Sequence, residues 1–326
     1  MGEIVAAIGM SHAPLIVADS DEPPTEQVHN FNESIQHLRA QLYEARPDVV
    51  LAIIDDHFEN FFMNLMPTFA VGLAAENYGP PKHYVEWLGM ETRQIPSAPD
   101  YARELLAHGL AQEFDLASGS DPMALGHAVM VPMQLLRPEW DIPIVPIFVN
   151  VFTPPLARPA RAYEFGLTLR EVIERRPERV AIVATGALSH WPPFWKPDSP
   201  EDDPFLQRMK RFQTEGLPVL EDDPDLYIDL GRRENEMVAS DMRLINPDWD
   251  RRILDAFAEG DIDFITGLTF DDIEEHGGNG GHEVLNWIVM LGMCGGSPFR
   301  VLGYEPVREW MCGIGFVSYG HEPATA

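Results

Sequence analysis

Val49-Val50-Leu51-Ala52-Ile53-Ile54-Asp55-Asp56-His57 is a run of six apolar residues followed at once by two carboxylates and an imidazole. An unbroken apolar run of this length, without polar alternation, is the pattern of a strand buried on both faces, as in a parallel sheet covered by helices. Upstream, residues 27–44 place Val28, Phe31, Ile35, Leu38 and Leu42 at helical spacing. Before them, residues 4–10 form another short apolar run, ending in Ser11-His12-Ala13-Pro14. Downstream the alternation continues. The spacing predicts helices over 101–114 and 161–175 and strands over 143–151 and 180–185. Further helices are expected over 204–214, 250–258 and 283–293, and a late strand over 313–319. Alternating strands and helices imply α/β layers. Two stretches, 77–99 and 191–204, read as long loops, where substrate contacts are expected. Neither resembles a flexible linker and no repeat is present, so residues 1–326 are expected to form a single catalytic domain.

Composition narrows the function classes. The chain has 326 residues, 45% of them hydrophobic, enough for a sizeable core. No apolar run approaches the ~18 residues needed to span a bilayer. The stretch 4–10 lacks a basic flank and reads as a first strand rather than a signal peptide. The two cysteines, Cys294 and Cys312, suggest neither a disulfide framework nor a zinc cluster, and a cytoplasmic location is expected. A formal net charge of -29 repels phosphate backbones and anionic membranes, so neither nucleic acid nor membrane is expected as a partner. Acidic segments at 19–22, 201–203 and 221–225 read as solvated surface, with salt adaptation as the weaker alternative. In such a field an anionic aromatic substrate would need local positive charge or a metal.

The chemistry-bearing residues are histidines. Of 11 in the chain, His12, His57 and His190 each follow an expected strand. Ligands of open α/β sheets bind outside the carboxyl ends of strands, so three such histidines could converge. Each alone is more often a capping or solvent-facing residue. In Asn279-Gly280-Gly281-His282-Glu283, the glycines permit a tight turn and Glu283 enters the first turn of a helix. There it either complements the helix dipole or serves as a ligand. Two neutral imidazoles and one carboxylate suit Fe(II), with open positions left for both oxygens of a catechol and for O2. A structural zinc site would instead be closed by protein ligands and usually rich in cysteine.

Ser11-His12-Ala13-Pro14, Asp55-Asp56-His57, Gly126-His127, Leu188-Ser189-His190 and Gly280-Gly281-His282-Glu283 together resemble the motifs of the class III extradiol dioxygenases, the family of the protocatechuate 4,5-dioxygenase β subunit. The resemblance runs from residue 3 to about residue 293. It implies a three-layer α/β/α sandwich around a mixed sheet and a non-haem Fe(II) held by His12, His57 and Glu283. His190 is implied as the catalytic base and His127 as a second acid–base histidine. Many members carry Asp where this chain has Gly126, which removes a carboxylate that could orient His127.

Phe58, Trp191 and Phe194, beside these motifs, are tentative pocket residues. The expected substrates are O2 and a small aromatic diol: a lignin-derived gallate, O-methylgallate, protocatechuate or biaryl phenol, with dihydroxyphenylpropionate and aminophenols also open. A homo-oligomer, at least a dimer, is implied. Two other readings are a metal-free binding protein on the same fold and a zinc-dependent hydrolase. Metal analysis separates the three.

Overall fold

Side chains of the central strands are buried alternately on one face of a sheet and the other, and this decides the architecture. The computed structural model describes residues 2–18 and 23–321, so the acidic segment 19–22 lies outside the described residues. Ten strands are described: β1 (Glu3–Met10), β2 (Val49–Ile54), β3 (Phe69–Val71), β4 (Glu76–Gly79), β5 (Arg93–Pro96), β6 (Leu116–Ser118), β7 (Ile144–Val149), β8 (Arg179–Thr185), β9 (Arg300–Val307) and β10 (Cys312–Gly320). Eight form one sheet in the order β6-β3-β7-β2-β8-β1-β10-β9. The centre, β7-β2-β8-β1, is parallel. β3 runs antiparallel to β7, and β10 and β9 form an antiparallel edge beside β1.

Val49, Leu51 and Ile53 of β2 face one core, shared with helices Pro99–Ala111, Pro159–Arg175, Pro247–Glu259 and Val284–Met293. Val50, Ala52 and Ile54 face the opposite core, under helices Thr25–Ala45 and His127–Leu136. The strand is therefore apolar at every position because both faces are covered, and each buried aliphatic side chain contributes roughly 1.5–3 kcal/mol. The result is the expected α/β/α sandwich around a mixed sheet. The helix Thr25–Ala45 buries the expected stripe of Phe31, Ile35, Leu38 and Leu42.

Two crossovers open the site. Helix Thr25–Ala45 carries the chain from β1 to β2 over one face, and helix Pro159–Arg175 carries it from β7 to β8 over the other. Because β8 lies between β2 and β1, the connections leave the carboxyl ends of these strands in opposite directions, and a crevice opens there.

Some elements depart from the expectation. Stretch 77–99 is not one loop: β4 and β5 pair as a small antiparallel sheet around a helical turn at Lys82–Leu88. Its strands are four residues long and mostly polar, and Gly79, Pro80, Pro81 and Gly89 obscure them. Helix His127–Leu136 is buried on nearly all sides and contains Pro132, so it shows no amphipathic period. Helix Leu226–Val238 and strand β9 were not foreseen either. No helix is long and apolar enough to cross a membrane. Both cysteines are free and buried.

Candidate active site

The carboxyl ends of β1, β2 and β8 deliver His12, His57 and His190 to one crevice, and the turn before helix Val284–Met293 brings Glu283 beneath them. Glu283 is buried, with one carboxylate oxygen 3.4 Å from His12 Nε2 and the other 3.7 Å from His57 Nε2. These separations exceed a hydrogen bond. Atoms sharing one ion at ~2.1 Å each would stand about 3–3.5 Å apart, close to what is found. The potential donor atoms of His12, Asp55, His57 and Glu283 all lie within 4.8 Å of one another, a group that could hold a metal ion.

Neighbours fix which atoms face inward. The Thr185 hydroxyl donates to Ala128 O at 2.8 Å, so its oxygen can only accept from His12 Nδ1, 2.9 Å away. His12 therefore carries its proton on Nδ1 and turns the Nε2 lone pair inward, where that buried atom has no hydrogen-bond partner. His57 Nδ1 lies 3.3 Å from Asp55 Oδ2, the arrangement in which a carboxylate orients a metal-binding imidazole. Asp55 is itself held by Asn286 Nδ2 at 2.8 Å. Asn286 follows Glu283 by three residues and reaches the same side of the helix entry. The unpartnered, buried His12 Nε2, its fixed tautomer and a carboxylate without cysteine fit the donor set of a divalent iron site.

Charge shifts follow from burial and from this carboxylate. Burial raises Glu283, but His12 and His190 beside it win and hold it well below the usual carboxylate range. Burial lowers His12 and His190, yet Glu283 holds both above the ordinary histidine value. His127 goes the other way. Burial, then the neighbouring His57 and His12, push it well below, so it is a neutral imidazole at neutral pH. Its ring centroid lies 3.9 Å from that of His57 and 5.3 Å from that of His12.

His190 Nδ1 faces Leu188 O at 3.0 Å; a carbonyl only accepts, so Nδ1 carries the proton and Nε2 is left open toward the site, 3.3 Å from Glu283. Its ring fills the place of a side chain at residue 280: a Cβ there would stand 2.1 Å from Nε2. This is the physical reason for Gly280 in the motif. At Gly126 a Cβ would come within 1.9 Å of Glu59 Oε1. Glu59 is buried, accepts the His57 backbone N–H at 2.7 Å through Oε2, and is pushed well above the ordinary range by burial and by Asp56. The carboxyl absent from position 126 is thus replaced in that space by one reaching over from position 59.

The crevice encloses about 710 Å³ of empty space, its open mouth included. Phe194 lines it together with Phe152. Phe58 is fully buried behind these two, with ring centroids 6.1 and 6.2 Å away, and supports the wall rather than forming it. Trp191 lines an adjoining cavity with Lys196 and Met242. His282 turns away, stacked on Phe270 and 3.2 Å from Glu274.

Other lining residues were not anticipated. Tyr84 and Trp87 come from the helical turn inside the supposed loop, and Trp310 and Met311 from the β9–β10 connection. Tyr227, Leu230 and Glu234 lie on helix Leu226–Val238 at spacings of three and four. That spacing was the available signal, masked by Arg232, Arg233 and Glu236 on the other faces.

The profile of a family described as the catalytic LigB subunit of aromatic ring-opening dioxygenase matches residues 6–315. The chain is 30% identical over 326 residues to a 2,3-dihydroxyphenylpropionate/2,3-dihydroxicinnamic acid 1,2-dioxygenase of Photorhabdus laumondii, covering 96% of both chains. It is 30% identical over 317 residues to the protein of that name from Burkholderia vietnamiensis, covering 94% of each, and 27% identical over 321 residues to that of Rhodococcus globerulus, covering 95% of this chain and 96% of the relative. Among solved structures, an uncharacterized protein from Escherichia coli K12, JW3007, shares the fold at a TM-score of 0.54 and 15% identity, covering 97% of this chain and 100% of that one.

Proposed function

The chain belongs to the family of catalytic LigB subunits of aromatic ring-opening dioxygenases, and from that premise we propose that it is a non-haem Fe(II) enzyme whose iron is held by His12, His57 and Glu283 and whose substrate is a catechol-type aromatic. The observation that carries the iron assignment is the set of buried donor atoms at 3.4 and 3.7 Å around Glu283, with His12 locked in the tautomer that presents Nε2. Fe(II), when bound, supplies Lewis acidity that lowers the pKa of the diol oxygens, together with a site for O2.

The protein's own residues do the rest. His190 Nε2, open and facing the site, takes a proton from the diol as general base and returns it as general acid. His127, neutral and held against His57, donates one hydrogen bond to the developing oxygen anion. Phe152, Phe194 and Trp87 pack on the ring and exclude water. In the overall reaction both atoms of O2 enter the product and the ring carbon–carbon bond beside the diol breaks. The ring supplies the electrons, so no external reductant is required. Gallate, O-methylgallate, protocatechuate, a biaryl phenol or dihydroxyphenylpropionate all carry the required adjacent oxygens.

Residues 1–326 act as one catalytic domain, in a homo-oligomer and in the cytoplasm, where two buried free thiols are at home. The test is anaerobic reconstitution with Fe(II), metal analysis, and oxygen uptake on a catechol panel. Iron-dependent uptake with a ring-opened product is expected. A protein that retains zinc and hydrolyses, or one that binds no metal and consumes no oxygen, would overturn the reading.

A further inference from the structure

We propose that this ring-opening site selects a catechol bearing a protonated amine on its side group and discriminates against one bearing a carboxylate, with Glu234 as the residue that recognises the amine. The inference rests on the ring-cleavage reading above and narrows its substrate class.

Away from the histidines that would hold and serve the iron, the pocket offers a substrate side group no positive side chain. Among the described residues that line it, none is Lys or Arg. The undescribed stretches 19–22 and 322–326 read DSDE and EPATA and add no basic side chain. The nearby basic residues are engaged elsewhere. Arg232 pairs with Asp229, and Arg233 pairs with Asp203 at 3.0 Å and lines the adjoining cavity. Arg308 directs its guanidinium to the carbonyls of Met237, Val238, Ser240 and Met242. Lys196 is bound to Glu274 at 2.6 Å. A substrate carboxylate entering here would lose water and gain no counter-charge, in a protein already at -29.

Glu234 is the opposite case. It is partly buried and lines the pocket, and its carboxylate makes no hydrogen bond or ion pair among the described residues. Burial alone pushes its carboxyl up to about 7, so an ammonium placed beside it would recover the lost solvation. Seven residues separate it from Tyr227 on the same helix, ~10 Å along the axis. Tyr227 contacts Tyr84, whose ring centroid is 5.8 Å from that of His127. Glu234 and the histidines thus line one and the same pocket. The aromatic faces of Trp87, Tyr227 and Trp310 that also line it favour cations for a second reason, their quadrupoles.

Three catechols with a matched 3-substituent test this: the 2-aminoethyl compound, the propionamide and the propionate, compared by kcat/KM for oxygen uptake with iron-loaded protein. The expected order is amine, amide, acid, with about tenfold between amine and acid. In Glu234→Gln of equal iron content, the amine-to-amide ratio should fall to about one, and in Glu234→Lys the acid should overtake the amine. An acid turned over as well as the amide by the wild type, or an amine preference unchanged in Glu234→Gln, would overturn the proposal. Unsubstituted catechol on the wild type keeps the two readings apart: its cleavage upholds ring opening whichever side group is preferred, and failure on every catechol would sink the ring-cleavage reading itself.

Discussion

Asp250 holds Ser189 at two points: Oδ1 accepts the Ser189 backbone N–H at 2.7 Å and Oδ2 accepts its hydroxyl at 2.9 Å. Tyr304 donates to the same carboxylate at 2.7 Å, and the residue is fully buried. Burial pushes its carboxyl up to about 6 despite these donors. The folded pKa thus lies above the unfolded value of 3.8, so this group's stabilisation is complete below that value and is lost as pH rises through about 6. Relative to Asp250→Asn, the wild type should lose about 2.4 kcal/mol of unfolding free energy between pH 4 and pH 7. Urea titrations of both proteins at the two pH values measure the difference; parallel pH profiles would contradict it.

The proposed iron site has three ligands and no redundancy. His12→Ala, His57→Ala and Glu283→Ala should each abolish iron retention and turnover. Thr185→Val leaves all three ligands but removes the acceptor that fixes the His12 tautomer, so metal affinity should fall about 10–100-fold rather than vanish. Fe(II) titration under argon reads both effects. A ligand variant with full iron content would remove that residue from the set.

His190 and His127 should separate by kinetics. His190→Ala should keep its iron and lose ~10²–10⁴-fold in kcat, the usual cost of an acid–base group. His127→Ala should also keep iron, with a smaller or more substrate-dependent loss. An iron-free His190→Ala would make His190 a ligand. A fully active one would leave it without a role in the reaction.

Assembly is read by light scattering. One chain is 36.7 kDa, and a particle of at least twice that mass is expected at micromolar concentration. A single species near the mass of one chain would refute the homo-oligomer.

The parts legible in the sequence were those with strong local patterns. The apolar run of β2, the stripe on helix Thr25–Ala45 and the strand-end histidines were all visible because burial on two faces leaves an unbroken hydrophobic signal. Tyr84, Trp87 and Trp310 were not, since they sit in short turns punctuated by Gly and Pro or at the end of an edge strand, where local pattern says little about what lies across the crevice. Thr185 and Asp250 were missed for a different reason. Each acts through a partner far along the chain, Thr185 on His12 and Asp250 on Ser189, and no spacing encodes such a pair. Glu234 stands in a run of charged residues that carries no inward signal of its own, and it shares its helix face with Tyr227 and Leu230, which line the pocket with it.

The contact between Gly126 and Glu59 has a consequence for substitution. A side chain at 126 would meet Glu59 Oε1, whose partner oxygen is tied to the His57 backbone. The carboxyl cannot swing aside without releasing the residue next to the first pair of acids. Gly126→Asp should therefore loosen the hold on the His57 backbone, and it should be tolerated better once Glu59 is shortened than while it stands.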